Sequence, residues 1–170
     1  LLVDISYKPK VFDDVNTISV LAFTPSDFPL ATHKMTQEQL DKEFLGCDLD
    51  VIENIFPLTP LQEGMLFDSL KDPHKELYIT QIVWDLDQNL DIDYFLSNLD
   101  GLVAKYSSLR SFFLPSSFSS AVQVVFKEKY FIPSREVAYV KIMGPLESYL
   151  KEDRIQGFSF SIKKPLMRFH

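Results

Sequence analysis

The sequence has a single cysteine, Cys47, so no disulfide can form within the chain. A lone thiol suits a reducing compartment. With no acid or base beside it in the pattern, Cys47 reads as a linker or interface thiol rather than a nucleophile. Histidine is scarce too. His33, His74 and His170 stand far apart, and none has a serine or acidic partner by spacing, so no catalytic triad can be assembled. No apolar run approaches the ~20 residues of a membrane span, and no signal-peptide pattern opens the chain. Glycine-rich phosphate loops and metal-ligand spacings are missing. Basic charge is not in excess: the net charge is −7, and Lys163, Lys164 and Arg168 are the closest cationic group. Phosphate recognition needs a clustered basic face, so nucleic acid is disfavoured as a partner.

What remains is the material of a globular domain. Apolar residues make up 46% and charged residues 24% of 170 residues, with fifteen Phe and seven Tyr for a core. This length suits one ordinary domain. The chain opens on Leu1 in an alternating stretch and closes on His170 with no tail. It therefore reads as a piece of something longer.

Leu1, Val3, Ile5 and Tyr7 alternate, as do Ile18, Val20 and Ala22, which predicts two strands around a loop over 8–14. A turn-rich stretch, TPSDFPLAT, follows. Thr36 then caps a short helix, with Gln39 completing a capping box and Met35 and Leu40 at the staple positions. Gly46 is a stop signal for it. A second helix starts at Thr59, with Pro60 in the first helical position, Gln62 in the third, and Asp72-Pro73 as its end. Its apolar positions are Leu61, Met65, Leu66 and Leu70.

Tyr78, Thr80, Ile82, Trp84 and Leu86 share one face and predict a strand. Asp91 caps the clearest amphipathic helix, with Ile92, Phe95, Leu96, Leu99, Leu102, Val103 and Tyr106 at spacings of three and four. Strands are predicted from Leu109 to Leu114 and from Val122 to Phe126, with further candidates at Val137–Ile142 and Phe158–Ile162. Gly144-Pro145 opens a last helix to about Arg154, with Leu146, Tyr149 and Leu150 facing inward. Strands interspersed with helices argue for a mixed α/β fold.

One string is too specific for helix capping alone to explain. Pro57 to Phe67, PLTPLQEGMLF, resembles the first core motif of condensation domains in nonribosomal peptide synthetases. Further segments resemble the same family in order. Lys105 to Phe113, KYSSLRSFF, is similar to Arg-His-Glu-x-Leu-Arg-Thr-x-Phe through Leu109, Arg110 and Phe113, with Tyr106 and Ser107 departing from it. Ala121 to Val125, AVQVV, looks like a Leu-Gln-Val-Val strand. Gly157 to Arg168 resembles Phe-Asp-Leu-x-x-x-Pro-Leu-x-Arg, with Ser159 where Asp is common. TPSDFPLA, Thr24 to Ala31, resembles the link that follows an epimerization or condensation unit.

The resemblance implies a partial chloramphenicol-acetyltransferase-like lobe, a mixed sheet with packed helices, incomplete at its carboxyl end. It implies that residues 1–23 are the last strands of a preceding unit, 24–50 a linker with a short helix, and 51–170 the amino-terminal part of a condensation domain. The implied reaction joins a donor peptidyl or aminoacyl thioester to the amine of an acceptor aminoacyl thioester. Partners would be upstream and downstream carrier domains and neighbouring adenylation or epimerization domains, in the cytoplasm. Substrates would ride on the carriers' phosphopantetheine, with no cofactor or metal held by this chain.

The family's catalytic His-His-x-x-x-Asp-Gly is not among the 170 residues, so no catalytic residue is assigned and the chain alone is expected to be inactive. Thr59, Pro60, Gln62, Gly64, Leu109, Arg110 and Phe113 take structural roles within the motifs, Arg110 as an ion-pairing residue suited to a carboxylate. Two other readings stand beside this one: a non-catalytic remnant or docking module for a carrier protein, and an unrelated acyltransferase of the same two-lobe fold. The linker-like TPSDFPLA argues against the second of these.

Overall fold

The computed structural model describes residues 23–44, 50–72, 75–86, 89–115 and 120–170. The two strands expected before Phe23, the loop between them, and Gly46, Cys47, Pro73 and His74 lie outside the described residues. Among those residues, no helix is long and apolar enough to cross a membrane.

Helix ends follow local hydrogen-bonding chemistry. Helix α1, Gln37–Phe44, begins at the predicted capping box. The Gln39 N–H donates to Thr36 Oγ1 at 3.3 Å and the Thr36 N–H donates to Gln39 Oε1 at 2.8 Å. The staple residues Met35 and Leu40 are both buried. Strand β1, Ile52–Pro57, leads directly into α2, Pro60–Lys71. Helix α3, Ile92–Lys105, is capped by Asp91, whose carboxylate accepts from the Tyr94 N–H at 2.9 Å. A 3-10 turn over Ser107–Arg110 follows, then β2, Ser111–Leu114, and β3, Val122–Phe126. A single-turn helix α4, Pro133–Glu136, precedes α5, Leu146–Gln156.

The three strands form one antiparallel sheet in the order β1-β3-β2. Ile55 and Phe112 both pair with Val124, and Leu114 pairs with Val122. Side chains alternate between the two faces of a strand, so this register gathers Ile55, Phe112, Leu114, Val122 and Val124 on one face, each at most 4% exposed. Six residues of the preceding segment cover that face: Phe23, Phe28, Ala31, Met35, Leu40 and Phe44. The other face carries Ser111, Phe113 and Gln123, toward α2.

Three predicted strands are not strands. Residues 78–86 pair with no strand among the described residues, and Tyr78 has φ of 60°, outside the strand region. A strand exists through hydrogen bonds to a neighbour, and alternation alone does not supply one. Val137–Ile142 contributes only one parallel bridge, Val137 to Phe169. Phe158–Ile162 is turn, closed by a Ser159–Ser161 hydroxyl contact of 2.7 Å. Leu109, expected to open a strand, sits in the 3-10 turn before β2. A strand that was not predicted, β1, lies in the residues just before the α2 cap.

The apolar stripes of the helices are also less covered than their patterns suggest. On α3 only Val103 is fully buried, while Ile92, Leu102 and Tyr106 are exposed. Leu61 and Leu70 of α2 and Leu146 of α5 are exposed too. Gly64 stands in the middle of α2, where a methyl group would meet nothing within 4 Å. Gly64→Ala is therefore expected to stabilise the chain by up to about 1 kcal/mol through helix propensity, read as a higher thermal midpoint.

Candidate functional site

The residues of the three central motifs meet around the sheet. Thr59 and Gln62 close a capping box: the Gln62 N–H donates to Thr59 Oγ1 at 3.3 Å, and the Thr59 N–H donates to Gln62 Oε1 at 2.9 Å. Pro60 in the first helical position has no N–H to leave unsatisfied. The Gln62 amide then donates from Nε2 to Gln123 Oε1 at 3.1 Å. Gln123 Nε2 donates to Ser111 Oγ at 2.8 Å, and that hydroxyl donates to the Ser108 carbonyl at 2.6 Å. One hydrogen-bonded line thus runs from the start of α2 across β3 to β2. Gln123 is the polar residue inside the apolar AVQVV stretch, and its partner Gln62 is 61 positions away.

Arg110 is the second hub. It is only 4% exposed. Its Nε donates to the Val103 carbonyl at 3.0 Å and its Nη2 to the Ala104 carbonyl at 3.1 Å. These are last-turn carbonyls of α3, which have no intrahelical partner. Nη1 donates to the Phe126 carbonyl of β3 and to Glu53 Oε2 of β1, the latter at 2.6 Å. The guanidinium fork therefore ties one helix end to two strands. Leu109 and Phe113, on either side, are half-buried and line the cavity described next.

An open apolar cavity of about 1160 Å³ lies between α2, α3, the 77–86 stretch and the last residues of the chain. Its walls include Leu66, Leu99, Val103, Phe113 and the exposed Ile82 and Trp84. Trp84 packs edge-on against Phe95 of α3, with ring centroids 5.9 Å apart.

A polar cluster closes one end of the cavity. Gln81 Nε2 donates to Asp153 Oδ2 at 2.7 Å, and Arg154 Nη1 donates to Gln81 Oε1 at 2.7 Å. Arg168 Nη2 donates to the Asp153 backbone carbonyl at 2.8 Å and lies 2.8 Å from Asp153 Oδ1, which has no well-aligned donor among the described residues. Its Nη1 donates to the Gly157 carbonyl, and the guanidinium stacks 4.6 Å from the centre of the Phe158 ring. Arg168 thus serves the carboxyl end of α5 as Arg110 serves that of α3.

Tyr149 Oη lies 2.8 Å from His170 Nδ1, and Asp153 Oδ1 lies 3.6 Å from His170 Nε2. The Tyr149 hydroxyl is raised above its ordinary 10.0, by burial first and by the Asp153 carboxylate second, with Arg168 opposing. A phenol held neutral in this way is a poor nucleophile near pH 7. The cluster fastens the 76–81 stretch to α5 and the last residues.

His33 is exposed, within the 3-10 turn Thr32–Lys34 that precedes α1. Among the described residues, no group of three or more His, Cys, Asp or Glu side chains is placed to hold a metal ion. Glu53, Gln81 and Asp153 carry no signal in the sequence pattern, since Glu53 meets Arg110 57 positions away and Gln81 meets Asp153 72 positions away. Ser111 and Gln123 lie within the second and third motifs, Gln123 as a polar residue in an apolar strand.

The family model described as "Condensation domain" matches residues 52–170. A component of the linear gramicidin synthase of Brevibacillus parabrevis is 38% identical over 151 residues, covering 86% of this chain and 3% of that protein. A component of the mycosubtilin synthase of Bacillus subtilis is 33% identical over 164 residues, covering 94% of this chain and 6% of that protein. FR901469 synthetase of Dothideomycetidae sp. (strain 11243) is 35% identical over 105 residues, covering 62% of this chain and 1% of that protein. The chain thus spans a few per cent of the length of these relatives. A match over 94% of the chain necessarily includes residues upstream of Ile52, where the family model begins. No solved structure gives a significant match.

Proposed function

The chain belongs to the condensation-domain family of nonribosomal peptide synthetases, and on that premise we propose that residues 51–170 are part of the amino-terminal lobe of such a domain. The family match over 52–170 carries this reading. The lobe is assigned the chloramphenicol-acetyltransferase-like architecture, in which a second lobe faces it across a tunnel. The open apolar wall of the cavity and the unpaired 78–86 stretch support that assignment, because apolar surface of this extent is normally covered. Residues 24–50 are read as the link from a preceding epimerization- or condensation-type unit, and residues 1–23 as the end of that unit.

The reaction assigned to the whole domain is aminoacyl transfer in the cytoplasm. The acceptor amine attacks the donor thioester carbonyl, a C–N bond forms and a C–S bond breaks. The donor carrier keeps the thiol, and the proton lost by the amine ends on sulfur or solvent. Such a step gains from holding two reactants together and from donors aimed at the developing oxyanion. Phosphopantetheine arms belong to the carrier domains and enter as bearers of substrate. The residues of this chain have a positioning part. The Thr59–Gln62–Gln123–Ser111 line and the Arg110 hub hold α2, α3 and the sheet in one frame, which sets one wall of the tunnel. The catalytic His-His-x-x-x-Asp-Gly is not among residues 1–170, so this stretch supplies scaffold and no acid or base.

The test is a peptide-bond assay with two aminoacyl-loaded carriers. Residues 1–170 joined to the remainder of a condensation domain are expected to form product, and the 170-residue chain alone none. Tight binding of a loaded carrier by a parent protein that forms no product would favour the docking-module reading instead.

A further inference from the structure

We propose that residues 23–44 are an integral clamp of the condensation fold, so that the folded unit begins upstream of Ile52, where the family match starts. The inference concerns the fold's boundary and stands whether or not the assigned reaction is correct.

The first observation is which residues cover the sheet. The face formed by Ile55, Phe112, Leu114, Val122 and Val124 is sealed by side chains that precede the family match. Phe28 is 2%, Ala31 0% and Leu40 1% exposed, the same burial as the strand residues beneath them. Without this segment the sheet would present a bare apolar face to water, which soluble folds avoid.

The second observation is how the segment is held in shape. Thr24 and Asp27 close its first turn through a 2.7 Å N–H···carboxylate bond. Thr32 Oγ1 donates to the carbonyls of Pro25 and Phe28 at 2.9 and 3.0 Å. Gln37 Nε2 donates to the Phe23 carbonyl at 2.8 Å, bringing α1 back onto the start of the segment. The rings of Phe23 and Phe28 stand 5.3 Å apart, and Phe44 meets Phe23 edge-on at 6.1 Å. A tether built for freedom would be rich in Gly and Ser, whereas 24–50 holds one of each.

The third observation ties the segment to the far end of the chain. Lys163 Nζ lies 2.8 Å from Glu43 Oε2, donates to the Glu43 carbonyl at 2.7 Å, and sits over the Phe44 ring at 5.4 Å. Lys163 belongs to the stretch leading into Pro165–Arg168. The clamp therefore touches both the sheet and the stretch that enters the cavity. The similarity to the mycosubtilin synthase component also runs upstream of the family match.

Amide hydrogen exchange on the whole 170-residue chain tests this. A helix of eight residues is marginal alone, so protection in α1 requires packing. The N–H groups of Asp41–Phe44 are expected to exchange within about tenfold of those of Val122–Phe126, because they open in the same cooperative unit. Exchange of α1 at least about 100-fold faster than the sheet, as for a separate local opening, would overturn the proposal. Leu40→Ala is expected to accelerate exchange in β3 as well as in α1, by at least about tenfold. Acceleration confined to 37–44, with the sheet unchanged, would overturn it too. If Leu40→Ala does not fold, the comparison of α1 with β3 in the unaltered chain decides the question by itself.

Discussion

Arg110→Ala is expected to lower the unfolding free energy by about 3–5 kcal/mol, since three backbone carbonyls lose their donor at about 1–3 kcal/mol for each one left unpaired. The loss comes mainly from carbonyls, not from the ion pair. Glu53 is 44% exposed at its side chain, so water screens the Arg110–Glu53 attraction and leaves it worth at most about 1 kcal/mol. The carbonyls of Val103, Ala104 and Phe126 lose their donor in the variant, and a buried acceptor left unpaired costs about 1–3 kcal/mol. Arg110→Lys keeps the charge but cannot fork to four acceptors. Its expected cost is about 1–3 kcal/mol, since at least one carbonyl stays unpaired. Glu53→Gln should fall below about 1 kcal/mol. Urea unfolding followed by far-ultraviolet circular dichroism measures all three. Equal losses for Arg110→Ala and Glu53→Gln would show that the ion pair, not the carbonyls, dominates.

Phe112→Ala should destabilise the chain by about 3–5 kcal/mol, the range for truncating a buried phenylalanine in a core. Phe112 is 1% exposed and lies under the clamp. Its ring stacks on Phe126 at 5.0 Å with 29° between planes. It pairs with Val124, the residue that also pairs with Ile55 of the opposite strand, so the cavity would open in the middle of the sheet. Phe113→Ala, one residue along, removes a half-buried ring from the other face and should cost clearly less. The same urea titration separates them, and similar losses would contradict the assignment of the two faces.

These expectations show which parts of the structure are legible in the sequence. Helix ends are readable at Thr36, Thr59 and Asp91 because a cap is made between residues three apart. The amphipathic α3 is readable in position but not in burial, since its stripe faces an open cavity. The strand expected at 78–86 has the right alternation, but pairing is decided by a neighbour that no local pattern names. The clamp has no period to find: its buried residues fall at intervals of five, three, four, five and four. Arg110 can be picked out by resemblance, but Glu53, 57 positions away, cannot. Likewise, the Gln62–Gln123 contact becomes visible only when α2 and β3 are brought together.

We propose that these residues serve a condensation domain as scaffold, with its acid–base chemistry supplied from elsewhere in the domain. The most direct test of this claim is a single-turnover assay with a donor-loaded and an acceptor-loaded carrier, with product released from the thioester and identified by mass. Residues 1–170 joined to the remainder of a condensation domain should yield the joined product, and residues 1–170 alone should yield no more than carriers without enzyme. Joined product from residues 1–170 alone, above that background, would contradict the claim.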